Sequence, residues 1–271
     1  QILSRMLSWS YQIECYNHMP LLNDSSKSLT FSFKKLNIMY KSLFGHYFSE
    51  QNIVPLGESG FRKFKTKNYE LLIDIGDIGA SDVPGHAHAD TFNIIIFDKN
   101  GPLFIDPGVS TYNNNNYRLN ERSTSFHNTV SLDSINSSEI WSSFRVGKQC
   151  KVKIFNDDSD FIYAHHNGYS LYDINLARKC IFKNKSIEIK DIINGSTALS
   201  FYQNWILAPE RNYILKDNTL QIDDIKIKFK SDFFKIKHEK IKIPSDFNKL
   251  IYTTRLSIEF ADRLTTSISF N

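Results

Sequence analysis

The side chains best suited to chemistry gather between positions 85 and 129. Gly85-His86-Ala87-His88-Ala89-Asp90 sets two histidines and an aspartate at alternate positions, and Asp106-Pro107-Gly108 follows. Arg122-Ser123-Thr124-Ser125-Phe126-His127-Asn128-Thr129 then puts a third histidine between an arginine and an asparagine. Three of the eight histidines of the chain fall in this stretch. If the first segment enters a strand, the two-residue period turns His86, His88 and Asp90 to one face, and a partner strand can bring Asp106 alongside. Imidazole nitrogen and carboxylate oxygen together make a donor set for zinc or iron. From the arrangement alone, His88, Asp90 and His127 have the order of the two-histidine, one-carboxylate triad of an iron oxygenase. That chemistry wants a basic residue soon after the distal histidine to hold an oxo-acid, and the next one is Arg145. The isolated His18, His46 and His238 read as structural, and only one of the adjacent His165 and His166 can face the cluster.

The elements that must position these groups follow from periodicity. Ile2, Leu3, Met6, Leu7 and Ile13 are helix-spaced, as are Phe33, Leu36, Tyr40, Leu43 and Phe44, with Asn23-Asp24-Ser25-Ser26 as a turn or cap between them and Gly45 as a helix stop. After Pro55 the pattern changes to short alternating runs: Tyr69 to Ile75, Thr91 to Phe97, Leu103 to Ile105, Val152 to Phe155, Phe161 to Ala164, Cys180 to Phe182 and Ile187 to Ile192. Hairpin turns are predicted at Asp98-Lys99-Asn100-Gly101, Asn156-Asp157-Asp158-Ser159, Lys183-Asn184-Lys185-Ser186 and Lys216-Asp217-Asn218-Thr219. The expected fold is mainly β, a large antiparallel β-sandwich preceded by two helices.

Composition agrees and sets limits. With 21 Phe and 13 Tyr, 41% hydrophobic residues and 23% charged, the chain can bury a large core and leans towards strand formers. The balance of 33 Lys plus Arg against 29 Asp plus Glu, a net +4, permits an acidic substrate but lacks the dense basic stripe of a nucleic-acid binder. Cys15, Cys150 and Cys180, odd in number and without CxxC spacing, read as buried free thiols. The most apolar run, Ile94 to Phe97, is far shorter than a membrane span of about 20 residues.

Several motifs occur in the order found in the heparinase II/III family of polysaccharide lyases, and residues 55 to 270 resemble its C-terminal domain. They are Gly57-Glu58-Ser59-Gly60-Phe61, Asp74-Ile75-Gly76, Gly85 to Asp90, Phe104 to Gly108, Tyr117-Arg118, Arg122-Ser123-Thr124, His127 to Val130, Ser138 to Trp141 with Phe144 to Gly147, and His166 to Tyr169. The first fifty residues, with Pro20 to Ser25, resemble the last helices of the α/α toroid that precedes this domain. The implied organisation is a toroid remnant at 1–50 and a β-sandwich at 51–271, with the rest of the toroid as a partner domain outside this chain.

The resemblance implies β-elimination at a uronate, in which the carboxylate is neutralised, a base takes the proton on the adjacent carbon and the glycosidic oxygen leaves. His86 matches the family's sandwich-domain catalytic histidine. His88, Asp106 and His127 match the ligands of a zinc ion, read here as structural. Either Tyr112 or Tyr117 can reach the cleft. Tyr117 is taken as the second catalytic candidate, and Tyr112, Arg122 and Asn128 as substrate-binding residues. Asp90 is assigned to bonding its own loop, and Trp141 and Phe144 to the core. The implied partner is an acidic polysaccharide, whether glycosaminoglycan, alginate or capsule polymer, in the periplasm or outside a bacterial cell. The chain by itself is expected to be an incomplete lyase. The alternative is an acidic-glycan-binding domain without catalysis.

Overall fold

The computed structural model describes residues 2–196 and 198–271. It opens with α1 (Ile2–Ile13) and α2 (Phe33–Phe44), the two helices that the apolar spacing predicts. The Ser32 side chain caps α2 by accepting from Lys35 N, and Gly45 ends it at φ 80°, where a glycine escapes the Cβ penalty of the left-handed region. Ile13, Cys15 and Leu22 pack on Leu72, Ile95 and Phe97. In contrast, α2 buries no residue, and Ile38, Met39, Leu43 and Phe44 stay exposed. No described helix is long and apolar enough to cross a membrane.

From Phe61 the chain is built of antiparallel strands. β1 (Phe61–Lys65), β2 (Tyr69–Asp74), β3 (Ile94–Asp98) and β4 (Gly101–Phe104) pair in sequential order. A short helix α3 (Asn116–Arg122) precedes β5 (Val130–Leu132) and the small hairpin of β6 (Ile140–Trp141) and β7 (Arg145–Val146). Next come β8 (Val152–Asp157), β9 (Phe161–His166), β10 (Asn175–Lys183), β11 (Ser186–Asn194) and β12 (Phe201–Ile206). The chain finishes with β13 (Ile214–Lys216), β14 (Thr219–Ile222), β15 (Ile225–Lys230), β16 (Phe234–Asp246), β17 (Lys249–Phe260) and β18 (Arg263–Phe270). Each of the four predicted turn segments closes a hairpin.

An eight-stranded sheet has the order β13-β14-β15-β18-β11-β10-β9-β8, and a four-stranded one the order β16-β17-β12-β5. Backbone bonds of 3.0 Å from Ile105 N to Ile206 O and from Ala208 N to Leu103 O seam the β1–β4 sheet to the β12 sheet, so the two act as one layer. The main core lies between that layer and the eight-stranded sheet, with Tyr69, Leu71 and Ile96 meeting Ile162, Ile189 and Ile268, and Trp205 and Leu256 beside them. Cys15, Cys150 and Cys180 are buried and unpaired, and burial pushes all three thiols up to about 12.

The histidine segment departs from expectation. Pro84–His86 is a turn of 3-10 helix, and no strand begins until Ile94. Pro84 has no N–H for a ladder, and Phe92 turns the chain at φ 68°. Alternation therefore does not govern where His86, His88 and Asp90 point.

Inside the sandwich, Arg178 on β10 grips Asp191 on β11 through Nε at 2.7 Å and Nη2 at 2.8 Å. Its Nη1 also donates to the carbonyls of Phe92 and Asn128, and Gln203 Nε2 donates to Asp191 Oδ2 at 2.7 Å. Removing one partner of such a buried pair strands the other charge and costs about 3–5 kcal/mol, whereas replacing both with apolar residues is far milder. Arg178→Met is thus expected to lower unfolding free energy by about that amount in urea titration, with Arg178→Met/Asp191→Leu costing less than the sum of the single changes. Strict additivity of the two would contradict this account.

Candidate functional site

One carboxylate gathers the site. Asp24, in the connection between α1 and α2, is almost fully buried and accepts from His86 Nδ1 at 2.8 Å, His88 Nε2 at 2.9 Å and both terminal nitrogens of Arg118. The connection is held in place because Asn23 Oδ1 accepts from His88 N at 2.8 Å and Val109 N donates to Ser25 O at 2.9 Å. Gly108 permits that approach: its φ is +73°, and a Cβ there would lie 2.4 Å from Ser25 O. Burial works against the ionised form of Asp24, but the bonds from His88 and Arg118 outweigh it and hold the carboxyl down at about 2.

The two histidines of the HxH pair share this anchor and differ in every other respect. The His88 side chain is fully buried, and burial, opposed by the Asp24 bond, pushes it down to about 4, so it is neutral at ordinary pH. The His86 side chain is 66% exposed, with Nδ1 tied to Asp24 and Nε2 free to meet a ligand. Aromatic rings wall it in: Phe144 at 5.3 Å and Tyr112 at 6.0 Å between ring centroids, with Phe247 5.4 Å beyond Tyr112. Arg118 lies over Tyr112 at 5.3 Å and Phe144 at 5.2 Å and donates from Nε to Ser143 O. Burial, then the Asp24 charge, raises the Tyr112 phenol, keeping it protonated.

Below this surface lies a candidate metal centre. Asp90, Asp106 and His127 are all buried, with ligand atoms within 4.8 Å of one another. His127 Nδ1 is 3.3 Å from Asp106 Oδ1 outside hydrogen-bond geometry, and His127 Nε2 and His88 Nδ1 are buried without partners. The His88 and His127 rings are 5.3 Å apart. Burial, eased by His127 and reinforced by Asp106, raises Asp90 to about 7, while burial and the Asp90 charge lift Asp74 well above the usual carboxylate range. Buried acids short of cationic partners, beside imidazole nitrogens with unused lone pairs, suit a divalent cation with N and O ligands. His88, Asp106 and His127, named from sequence, are thus neighbours, but it is Asp90, assigned to its own loop, that joins Asp106 and His127 in the tightest group. That group has two carboxylates and one histidine, unlike the oxygenase triad of His88, Asp90 and His127.

Other expectations need correction. Arg122 is fully buried and donates to the carbonyls of Ala87, Ser142 and Arg145, so it clamps the loop under His86 and has no access to a substrate. Asn128 is likewise buried, donating to Ile94 O and Ile105 O and accepting from Ile206 N. Tyr117 is exposed but opens onto a separate depression lined by Glu239, Lys242 and Arg255. Trp141 and Phe144 are exposed, not core, and Phe144 belongs to the His86 wall. Asp24 and Arg118 were missed as site residues. A turn motif hid the first, and only the family-like Tyr117-Arg118 pair pointed to the second.

A folded-state carboxyl at about 2 instead of the usual 3.8 contributes stability that is complete above about pH 4 and fades as pH falls through 2. The stability gap between the wild type and Asp24→Asn, followed by denaturant titration from pH 7 to 2, is expected to be about 2 kcal/mol at neutral pH and to close towards pH 2. A gap independent of pH would contradict this assignment.

A family model described as heparinase II/III-like, C-terminal, matches residues 50–259. Among solved structures, a heparan sulfate lyase HepC from Pedobacter heparinus aligns with TM-score 0.75 at 18% identity, over 96% of this chain and 45% of its own. A heparinase III with methylated lysines gives 0.75 at 17% identity, over 95% and 44%. Another heparinase III gives 0.73 at 14%, over 99% and 47%. At these identities the likeness concerns the fold, and the chain spans less than half the length of each of these proteins. No curated protein sequence matches.

Proposed function

Since the chain belongs to the heparinase II/III-like C-terminal family, we propose that it forms part of a lyase that cleaves a uronate-containing acidic polysaccharide by β-elimination. The observation that carries the reading is His86, exposed in a ring of aromatic side chains with one nitrogen anchored on a buried carboxylate and the other free. A histidine so placed is a suitable proton acceptor, because the Asp24 bond fixes the ring and its tautomer and leaves Nε2 to take the proton from the carbon next to the uronate carboxylate. Tyr112, protonated and beside His86, replaces Tyr117 as the candidate donor to the departing glycosidic oxygen.

Arg122 and Asn128 are committed to the fold, so the group that neutralises the substrate carboxylate is sought elsewhere. Under the domain division proposed here, residues 1–50 end a helical toroid whose other helices supply it. The exposed apolar side chains of α2 support that division, since a helix that leaves Ile38, Met39, Leu43 and Phe44 open to solvent gains by packing on others. Asp106, His127, Asp90 and the spare Nδ1 of His88 would hold a divalent cation, zinc by the family resemblance, whose chemistry is to neutralise buried acids and tie the segments beneath His86 together. An acidic polysaccharide substrate fits a protein of the bacterial periplasm or exterior.

The test is the ultraviolet absorbance of the unsaturated uronate product over a panel of acidic polysaccharides, using the protein that carries this chain. His86→Ala is expected to lower turnover about 100-fold or more without loss of metal. Undiminished turnover would remove His86 from the mechanism. Glycan binding without product would instead favour a non-catalytic binding domain.

His127→Ala is expected to lose the ion and to lower the melting temperature first. Metal analysis of the unmutated protein should find about one zinc per chain. Less than about half an equivalent after purification without chelator would count against the metal.

A further inference from the structure

The outward face of the eight-stranded sheet lies across the core from the layer that carries the His86 site. On β15 the alternation is strict: Ile225, Ile227 and Phe229 are buried, and Lys226, Lys228 and Lys230 are exposed. Successive outward residues of a strand are about 7 Å apart and neighbouring strands about 4.8 Å apart. The register aligns Lys230, Thr265, Lys190, Lys179 and Tyr163 in a row across β15, β18, β11, β10 and β9. Four strand spacings make this row about 19 Å long.

Charge on this face is one-sided. The outward positions of β10, β11, β15 and β18 hold six lysines (Lys179, Lys183, Lys190, Lys226, Lys228 and Lys230) against one acid, Glu188. Lysine ion pairs among the described residues involve Lys63, Lys65, Lys151, Lys237 and Lys249, none of them in this group. Lys179 and Lys190 are direct cross-strand partners, an arrangement of like charges that opposes folding unless an anion lies across them. At the end of the row, Lys179 lies 4.4 Å over the Tyr163 ring, and Phe155, exposed, stacks 5.2 Å from Tyr163. Serine and threonine hydroxyls of β18 fill the ground between the lysine strands.

We infer that this face is a second glycan-binding surface, a track that holds an extended, acidic polysaccharide chain by its sulfate or carboxylate groups, with the Tyr163 and Phe155 rings as a platform for a sugar ring. The choice of a polysaccharide over other polyanions rests on the reading under Proposed function, since a lyase gains from holding a long polymer at a point remote from the bond it cuts. Binding at such a track raises the local concentration of further cleavable bonds.

The experiment uses the 271-residue chain and heparin as probe, with Lys179→Glu/Lys190→Glu/Lys230→Glu as the variant. The wild type is expected to bind long heparin with an affinity that falls as salt rises, and the variant to bind at least tenfold more weakly at low salt while its melting temperature stays equal or rises. Equal heparin affinity of wild type and triple variant would overturn the inference, as would binding of duplex DNA or anionic phospholipid vesicles as tight as that of heparin. Failure here is separable from failure of the reaction. A protein that binds heparin through these lysines but yields no unsaturated product from any acidic glycan keeps the track and loses the lyase. Product formation with heparin binding unchanged in the variant does the reverse.

Discussion

The buried ion pair of Arg178 and Asp191 is the interaction on which the rest of the molecule leans. A sandwich core of Ile, Leu and Phe is non-directional and would accept small slips of one layer on the other, whereas a guanidinium that must place its donors has one solution. Two of its nitrogens are fixed on Asp191, and the third reaches across to the carbonyls of Phe92 and Asn128. Those carbonyls belong to the segment that follows Asp90 and the residue that follows His127. The eight-stranded sheet thereby sets the position of loops that have no strand geometry of their own. Gln203 extends the network, bonding Asp191 and accepting from Trp205 Nε1 and Thr266 Oγ1, so no polar atom of the cluster is left to pull the core apart.

A second carboxylate performs a similar task at the surface. Asp24 is contributed by the helical end of the chain, yet its partners Arg118, His86 and His88 all come from the sandwich part. Three side chains from two separate segments converge on its two oxygens, which makes the seam between helices and sandwich part of the site itself. The same anchor divides the labour of the HxH pair, because one ring is sealed beneath the loop and the other is left at the surface. Arg122 completes the support from below by bonding the carbonyl of Ala87, the residue between the two histidines. Residues that looked like substrate grips are instead the scaffold that makes a loop behave as rigidly as a strand.

The fold was largely legible in the amino-acid sequence. Helix spacing at Ile2 to Ile13 and Phe33 to Phe44, strand alternation after Pro55 and the polar turn segments are local properties, set by the 3.6- and 2-residue periods and by which residues tolerate turns, and the structure follows them closely. The concentration of His86, His88, Asp106 and His127 in one region was readable too, because three histidines within about forty positions stand out against the composition of the rest of the chain.

Only the tertiary structure decided what those side chains do. The two-residue rule fails on a segment that Pro84 and the turn at Phe92 keep out of the sheet, so the directions of His86 and His88 come from contacts with Asp24, many positions away. Charge and hydrogen-bonding capacity are properties of a residue, but whether they are free to meet a ligand depends on what the fold has already asked of them. Arg122 and Asn128 look no different in sequence from substrate-binding residues, and Asp24 no different from a helix cap. Burial consumes the donors of the first two and turns the third into the anchor of the site. The physical reason is that local periodicity specifies elements, while long-range packing specifies which polar groups must satisfy one another away from water, and function is left to those that remain.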